Sequence, residues 1–264
     1  MIVKEIFNKS ICGQMGYIGS QNDIDLLEGY ILYNLEILKG FKQVIVSTNF
    51  GSPLQKENSE LWKRHLPNCV LLDSKVNRGH NHGYVDLENM LFDWCKDNNE
   101  KWLCKVSNDI VLTQDILNVE VPEADFYYIN ALGFGGMNQY NYDFDRMVSE
   151  DFNPQGNFYI MNIDKCDYIS DKKYLDETYD YIQTIPNYNG KIWEHIKGWT
   201  CERFLGNCVK RNNLITHHLI PEVKYRKLLK IVLDNQIHDC SYKNIMIEGV
   251  CHFQFPDKNI LILN

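Results

Sequence analysis

Trp102-Leu103-Cys104-Lys105-Val106-Ser107-Asn108-Asp109-Ile110-Val111-Leu112 is a largely apolar run, broken by three polar residues that end in a carboxylate. Residues 102–106 have the length and composition of a buried strand, and apolar sequence resumes directly after Asp109. What precedes this strand decides what it belongs to. Residues 3–11 predict a first strand, ending in the turn-like Cys12-Gly13-Gln14-Met15-Gly16. Ile24, Leu27, Ile31, Leu35 and Leu38 follow at intervals of three and four, one face of a helix with Asn22 or Asp23 as its cap and Gly40 as its stop.

Val44-Ile45-Val46 then runs into the polar Ser47-Thr48-Asn49-Phe50-Gly51, a second strand and its turn. A short helix over 54–66, a third strand over 69–72 and a helix over 84–96 complete the approach to residue 102. Short apolar strands alternating with helices define an α/β fold with a mostly parallel central sheet flanked by helices. Such sheets bind ligands at the carboxyl ends of their strands. Here those ends are predicted at 12–16, 47–51, 73–83 and 107–109.

The second half is less regular. Residues 125–130 and 157–162 read as strands, joined by a stretch rich in Tyr, Asn and Asp. Helices are predicted over 198–212 and 222–234. Repeats, low-complexity tracts and linker-like segments are absent from the sequence, which favours one composite domain over 1–264.

Composition bounds the function. With 44% hydrophobic and 23% charged residues, the 264-residue chain can bury a core, which excludes disorder. Its 27 basic and 35 acidic residues give a net charge of −8, opposite to what a nucleic-acid binder carries. An anionic ligand would need a local cation to hold it. No apolar run nears the ~20 residues that span a bilayer, and the first nine residues are too short and charged for a signal-peptide core. Nine scattered cysteines without a CxxC read as reduced, buried residues, so a cytoplasmic location is expected.

The strand–helix order, the loop Asn77-Arg78-Gly79-His80-Asn81-His82-Gly83 and Ser107-Asn108-Asp109 together resemble the GT-A glycosyltransferases, which use nucleotide sugars. The resemblance covers roughly residues 1–112 and, more loosely, 157–162. It implies a GT-A-like, Rossmann-type domain with a nucleotide-sugar-binding half (1–112) and an acceptor-binding half (113–264). In that superfamily the fourth strand ends in Asp-x-Asp, whose last carboxylate holds Mn²⁺ or Mg²⁺ on the donor diphosphate. Ser107 and Asn108 are neutral here, Ser107 standing where the motif has its first Asp, so only Asp109 carries over as a metal ligand, and Asn108 is left for ribose or a metal-bound water. Without the resemblance, Asp109 reads equally well as the cap of a turn.

The same comparison implies roles for other residues. Gln14, Ser47 and Asn49 would meet the nucleoside, Asn77, Arg78 and Lys105 the rest of the donor, and His252 the metal as a second ligand. Glu202, near the start of the helix predicted over 198–212, would be the catalytic base toward the acceptor hydroxyl. A guanidinium fork suits diphosphate oxygens, and a base works best with a tuned pKa. The implied donor is UDP- or GDP-linked, and the acceptor is a glycan, lipid or protein hydroxyl. The basic stretch 224–232 suits peripheral contact with an anionic membrane.

Other patterns are weaker. Asp143-Phe144-Asp145 is a literal DxD without a preceding strand, and reads as a surface loop. His80-x-His82 has metal-ligand spacing but lacks the Asp at 84 that a zinc hydrolase pattern requires. A sugar nucleotidyltransferase would announce itself by a glycine-rich basic loop after the first strand, and Gly13-Gln14-Met15-Gly16-Tyr17 carries no cation. A non-catalytic nucleotide- or glycan-binding module stays open, because the metal motif is depleted.

Overall fold

A computed structural model describes residues 1–49, 51–108, 110–112, 114–130, 154–186, 201–219, 246–247 and 250–252. Its strands are β1 (Ile11–Gly16), β2 (Gln43–Thr48), β3 (Val70–Asp73), β4 (Trp102–Val106), β5 (Ile110–Leu112), β6 (Phe126–Asn130), β7 (Pro154–Asn162), β8 (Thr216–His218), β9 (Met246–Ile247) and β10 (Val250–His252). Its helices are α1 (Val3–Phe7), α2 (Gln21–Leu38), α3 (Gln55–His65), α4 (Gly79–Asp97), α5 (Lys172–Gln183) and α6 (Cys201–Arg211). Among the described residues the main sheet has the order β3-β2-β1-β4-β7-β6-β8. β7 runs antiparallel to both its neighbours and every other pairing is parallel, which is the expected α/β, Rossmann-type sheet. β5, β10 and β9 form a separate antiparallel sheet.

Strands β1, β2 and β4 are buried on both faces, so their side chains alternate between two cores. Cys12, Val44, Val46, Cys104 and Val106 pack toward α2 and α3, around Tyr30 and Trp62. Ile11, Met15, Ile45 and Leu103 pack toward α4 and α6, around Leu91, Phe92 and Leu205. The six thiols described (Cys12, Cys69, Cys95, Cys104, Cys166 and Cys208) are free and buried, and burial pushes Cys12 and Cys95 up to about 12.

Three local expectations are corrected. Residues 3–7 form a helix, not a strand, because Val3, Ile6 and Phe7 bury one helical face. The first strand is Ile11–Gly16, so its glycines lie within the sheet instead of in a turn. Gly13 sits there because α4 passes directly over it: a Cβ would lie 2.8 Å from Leu91 Cδ1 and 2.9 Å from Leu103 Cδ1. The α2 cap is Ser20, in a reciprocal capping box with Asp23.

The helix after β3 begins at Gly79, earlier than the predicted residue 84. Gly79 takes φ +77°, a left-handed turn that glycine adopts without a Cβ penalty, and its N–H donates to Asn77 Oδ1 at 3.0 Å. Helix α5 and the strand at 216–218 carry no counterpart in the sequence reading. The predicted helix over 222–234, Asp143, Asp145 and the basic stretch 224–232 lie outside the described residues. No helix among those described is long and apolar enough to cross a membrane.

The turn after β4 is held from below. Asn34 is fully buried in α2; its Nδ2 donates to Ile110 O at 3.0 Å and its Oδ1 accepts from Leu112 N at 2.7 Å. Ile110 N also donates back to Ser107 O at 3.1 Å. The chain therefore leaves the main sheet at Ser107 and enters the second sheet at Ile110, with Asp109 between them. This change of sheet explains why apolar sequence resumes so abruptly.

Candidate active site

The carboxyl ends of β1 to β4 lie side by side, where parallel sheets present ligand sites. Hydrogen bonds tie these ends together. Thr48 Oγ1 donates to Asp73 Oδ1 at 2.9 Å, and Ser74 N donates to Thr48 O at 2.9 Å, joining β2 to β3. Ser52 Oγ donates to Ile18 O at 2.8 Å and accepts from Ile18 N at 3.1 Å, pinning the loops after β1 and β2 to each other. At the end of β4, Asn108 is half-buried beside Gly16; a Cβ on that glycine would lie 3.8 Å from Asn108 Nδ2.

The residues expected to meet the donor are placed unequally. Asn49 follows β2 and is nearly buried; its Oδ1 has no hydrogen-bond partner among the described residues. It lies near the first turns of α4, where a Cβ on Gly83 would be 3.5 Å from that oxygen. Gln14 is inside β1, not in a loop beyond it. Its Nε2 donates to Cys12 Sγ at 3.2 Å, while its buried Oε1 has no partner among the described residues. Two such orphaned acceptors are costly unless something donates to them. Ser47 is fully buried and its hydroxyl turns inward, 3.3 Å from Gln14 O and 3.4 Å from Leu87 O.

Arg78 is held tightly. Nε and Nη2 grip Asp86 at 2.8 and 2.6 Å, Nη1 donates to Asp176 Oδ1 at 2.5 Å, and the guanidinium lies 5.5 Å from the Tyr179 ring centre. Asp86 is the main cause of its raised pKa. Its fork already binds two carboxylates, so a diphosphate would reach it only by displacing one. Sequence reasoning missed both acids; Asp86, eight residues after Arg78 and two turns along α4, was the available signal.

Lys105 is fully buried, with Nζ donating to Ser107 Oγ at 2.7 Å and lying 5.5 Å from the Tyr84 ring centre. Its register partner on β7 is Tyr159, whose hydroxyl donates to the buried Glu88 at 2.9 Å. Burial, then the Glu88 charge, drives the Tyr159 pKa well up. Glu88 falls four residues after Tyr84 on the core side of α4, a polar intrusion that the sequence displays but that was not singled out.

Asp109 lies outside the described residues. His252 is in β10, opposite Ile110, so the register brings its backbone next to the turn that carries Asp109. Glu202 is the second residue of α6. His82 belongs to the core instead of a metal site: Thr178 Oγ1 gives its proton to Tyr174 O at 2.8 Å and therefore accepts from His82 Nε2 at 3.0 Å. Among the described residues no group of three His, Cys, Asp or Glu side chains could hold a metal ion. Tyr127 and Tyr128 pack edge-on against His217 and His218.

The buried His82 makes a pH prediction. Burial, reinforced by Arg78, lowers its pKa from 6.5 to about 4, so the folded protein excludes a proton that the unfolded chain binds. The resulting stability is fully present above pH 6.5 and is lost as pH falls from 6.5 toward 4. Urea unfolding near pH 5 is expected to take up close to one proton more in wild type than in His82→Gln, and little more at pH 7 and above. Parallel pH slopes for the two proteins would sink the assignment.

No protein-family model matches the chain, and no curated protein matches it. Among solved structures, it is similar to S. aureus TarS residues 1–349 at 15% identity and a TM-score of 0.38, covering 60% of this chain and 48% of that one. The UDP complex of the same TarS fragment matches at 14% identity and a TM-score of 0.37, covering 59% and 47%. A nucleoside-diphosphate-sugar pyrophosphorylase from Vibrio cholerae RC9 matches at 11% identity and a TM-score of 0.40, covering 83% and 99%. The aligned region thus spans about half of the TarS chain. Likenesses of this size carry no argument about activity, which rests on the site itself.

Proposed function

We propose that this chain is a glycosyltransferase moving a sugar from a nucleotide-diphosphate donor, UDP- or GDP-linked, to a hydroxyl of a glycan, lipid or protein. The observation that carries the reading is the convergence of Asn49, Ser107 and Asn108 at one edge of a parallel sheet, with the His252 strand paired to β5 just beyond them. The orphaned acceptors of Gln14 and Asn49 suit donors on a base or ribose. Asp109 and His252 would supply an oxygen and a nitrogen ligand of the kind that suits Mn²⁺ or Mg²⁺, with diphosphate oxygens and water completing the shell. When bound, the ion would neutralise charge on the departing nucleotide.

The chain's own residues do the remaining work in this reading. Glu202 takes the acceptor hydroxyl's proton if the reaction inverts. The acceptor oxygen then bonds to the anomeric carbon, the bond from that carbon to the diphosphate oxygen breaks, and its electron pair leaves with the nucleoside diphosphate. If configuration is retained, Glu202 binds the acceptor instead. The nucleotidyltransferase alternative gains nothing: the segment that follows β1, residues 17–20, contains neither Lys nor Arg. Nucleic acid is not a partner in this reading, membrane contact is peripheral, and the location is cytoplasmic.

The test is a thermal-shift screen of UDP, GDP, CDP, ADP and dTDP, each with Mn²⁺, Mg²⁺ or EDTA. A ligand at ~100 times its Kd should add about 2.7 kcal/mol. A metal-dependent rise with UDP or GDP is expected. No rise with any nucleotide would overturn the reading.

A further inference from the structure

Cys166 and Cys208 belong to different elements and meet in the core. Cys166 ends the 3₁₀ turn Ile163–Lys165 that follows β7, on extended backbone (φ −131°, ψ 154°), and Cys208 lies near the end of α6. Both are buried. Cys208 Sγ lies 3.2 Å from Tyr168 O and Cys166 Sγ 3.4 Å from Asn162 O, and the two thiols are hydrogen-bonding neighbours. Their cover is thin. Arg211, exposed in the last turn of α6, donates from Nη2 to Tyr168 O at 2.9 Å, and its guanidinium lies 4.9 Å from the centre of the half-buried Tyr168 ring. A terminal helix turn opens locally at far less cost than the whole fold.

The surroundings single out Cys208. Hydrogen bonding from Cys166 lowers its pKa against the effect of burial, and Arg211 and Asn212, whose Nδ2 lies 3.7 Å from the sulfur, lower it further. The other five described thiols are all shifted upward. Among those five are Cys12 and Cys104, a pair in register on adjacent strands, raised first by burial. Thiolate is the reactive form, so Cys208 is the thiol set to attack and Cys166 the one set to resolve.

We propose that Cys166 and Cys208 are a peroxide-sensitive dithiol, which closes to a disulfide that fastens α6 to the end of β7. The Cys208 sulfur attacks one oxygen of hydrogen peroxide, the O–O bond breaks, and water leaves, giving Cys208 sulfenic acid. The Cys166 sulfur then attacks the Cys208 sulfur, the S–O bond breaks, and a second water carries away the hydroxyl and the Cys166 proton. Two thiols are oxidised to one disulfide, and one peroxide is reduced to two waters. The site is remote from the nucleotide edge: Asn162 pairs with Trp102, the first residue of β4, so the dithiol lies at the amino end of that strand. It does not rest on the glycosyltransferase reading. Closing the ring over residues 166–208 restricts the unfolded chain, so the oxidised protein is the more stable form.

The experiment treats the reduced full chain with a molar excess of hydrogen peroxide, alkylates the remaining thiols in denaturant, and maps the peptides by mass. Two of the nine thiols are expected to disappear, as one disulfide joining Cys166 to Cys208, while Cys12 and Cys104 stay free. The melting temperature should rise by about 5 °C, and dithiothreitol should reverse both changes. In Cys166→Ala, Cys208 should stop at the sulfenic acid and be labelled by dimedone. In Cys208→Ala, Cys166 should stay a free thiol. Because either variant risks unfolding the protein, the wild-type peptide map decides the matter. Wild type in which both thiols are still alkylated after peroxide, or in which either is paired with a different cysteine, would overturn the proposal.

Discussion

Asp109→Ala is expected to lose Mn²⁺-stimulated binding of UDP or GDP by at least ~100-fold, with little change in melting temperature. Disturbing groups that merely support metal ligands costs 10–100-fold in metal affinity or activity, so removing the one carboxylate of the motif should reach the upper end. The folding cost should be small because the turn is secured by backbone and side-chain bonds that do not involve this residue. Asn34 holds Ile110 and Leu112, and Ile110 N holds Ser107 O. Asp109→Ala should erase the difference between nucleotide binding in EDTA and in Mn²⁺. Mn²⁺ stimulation that persists in Asp109→Ala would remove the metal role from this turn.

Much of the fold around this candidate site was legible from sequence because its signals are local. The strand over 102–106 is bounded as predicted, since an apolar run closed by three polar residues admits few other readings. The helix at 201–211 falls within the expected span for the same reason: residues 204, 205, 208 and 209 form an unambiguous apolar face. Helix α5 escaped notice because its buried face is only Leu175, Thr178 and Ile182, set among tyrosines and charges. What failed elsewhere depends on partners remote in sequence. Arg78 looked open toward a diphosphate, and Asp176, 98 residues away, closes it. Lys105 was expected to face the donor, and what surrounds it, the Tyr84 ring 5.5 Å from Nζ and Tyr159 as register partner, comes from elements remote in sequence. Gly13 looked like a turn, because glycine in isolation signals a turn more often than a close approach.

Gly13 is the sharpest test of how α4 is seated on the sheet, and hence of the site built at its amino end. Its backbone is not left-handed, so an alanine there meets no conformational penalty, and a less flexible unfolded chain favours it slightly. Steric overlap decides the sign: the added Cβ would lie 2.8 Å from Leu91 Cδ1 and 2.9 Å from Leu103 Cδ1, both fully buried. Overpacking of this kind costs ~1–3 kcal/mol. Leu91→Ala alone leaves a cavity costing ~2–5 kcal/mol. In the double variant the new methyl enters the space that Leu91 vacates, so the two costs should not add, and a coupling of at least ~0.5 kcal/mol is expected. Leu103 keeps its contact, so the rescue should be partial. Urea unfolding of the four proteins measures the coupling directly, and strict additivity would mean that α4 does not cross β1 at Gly13.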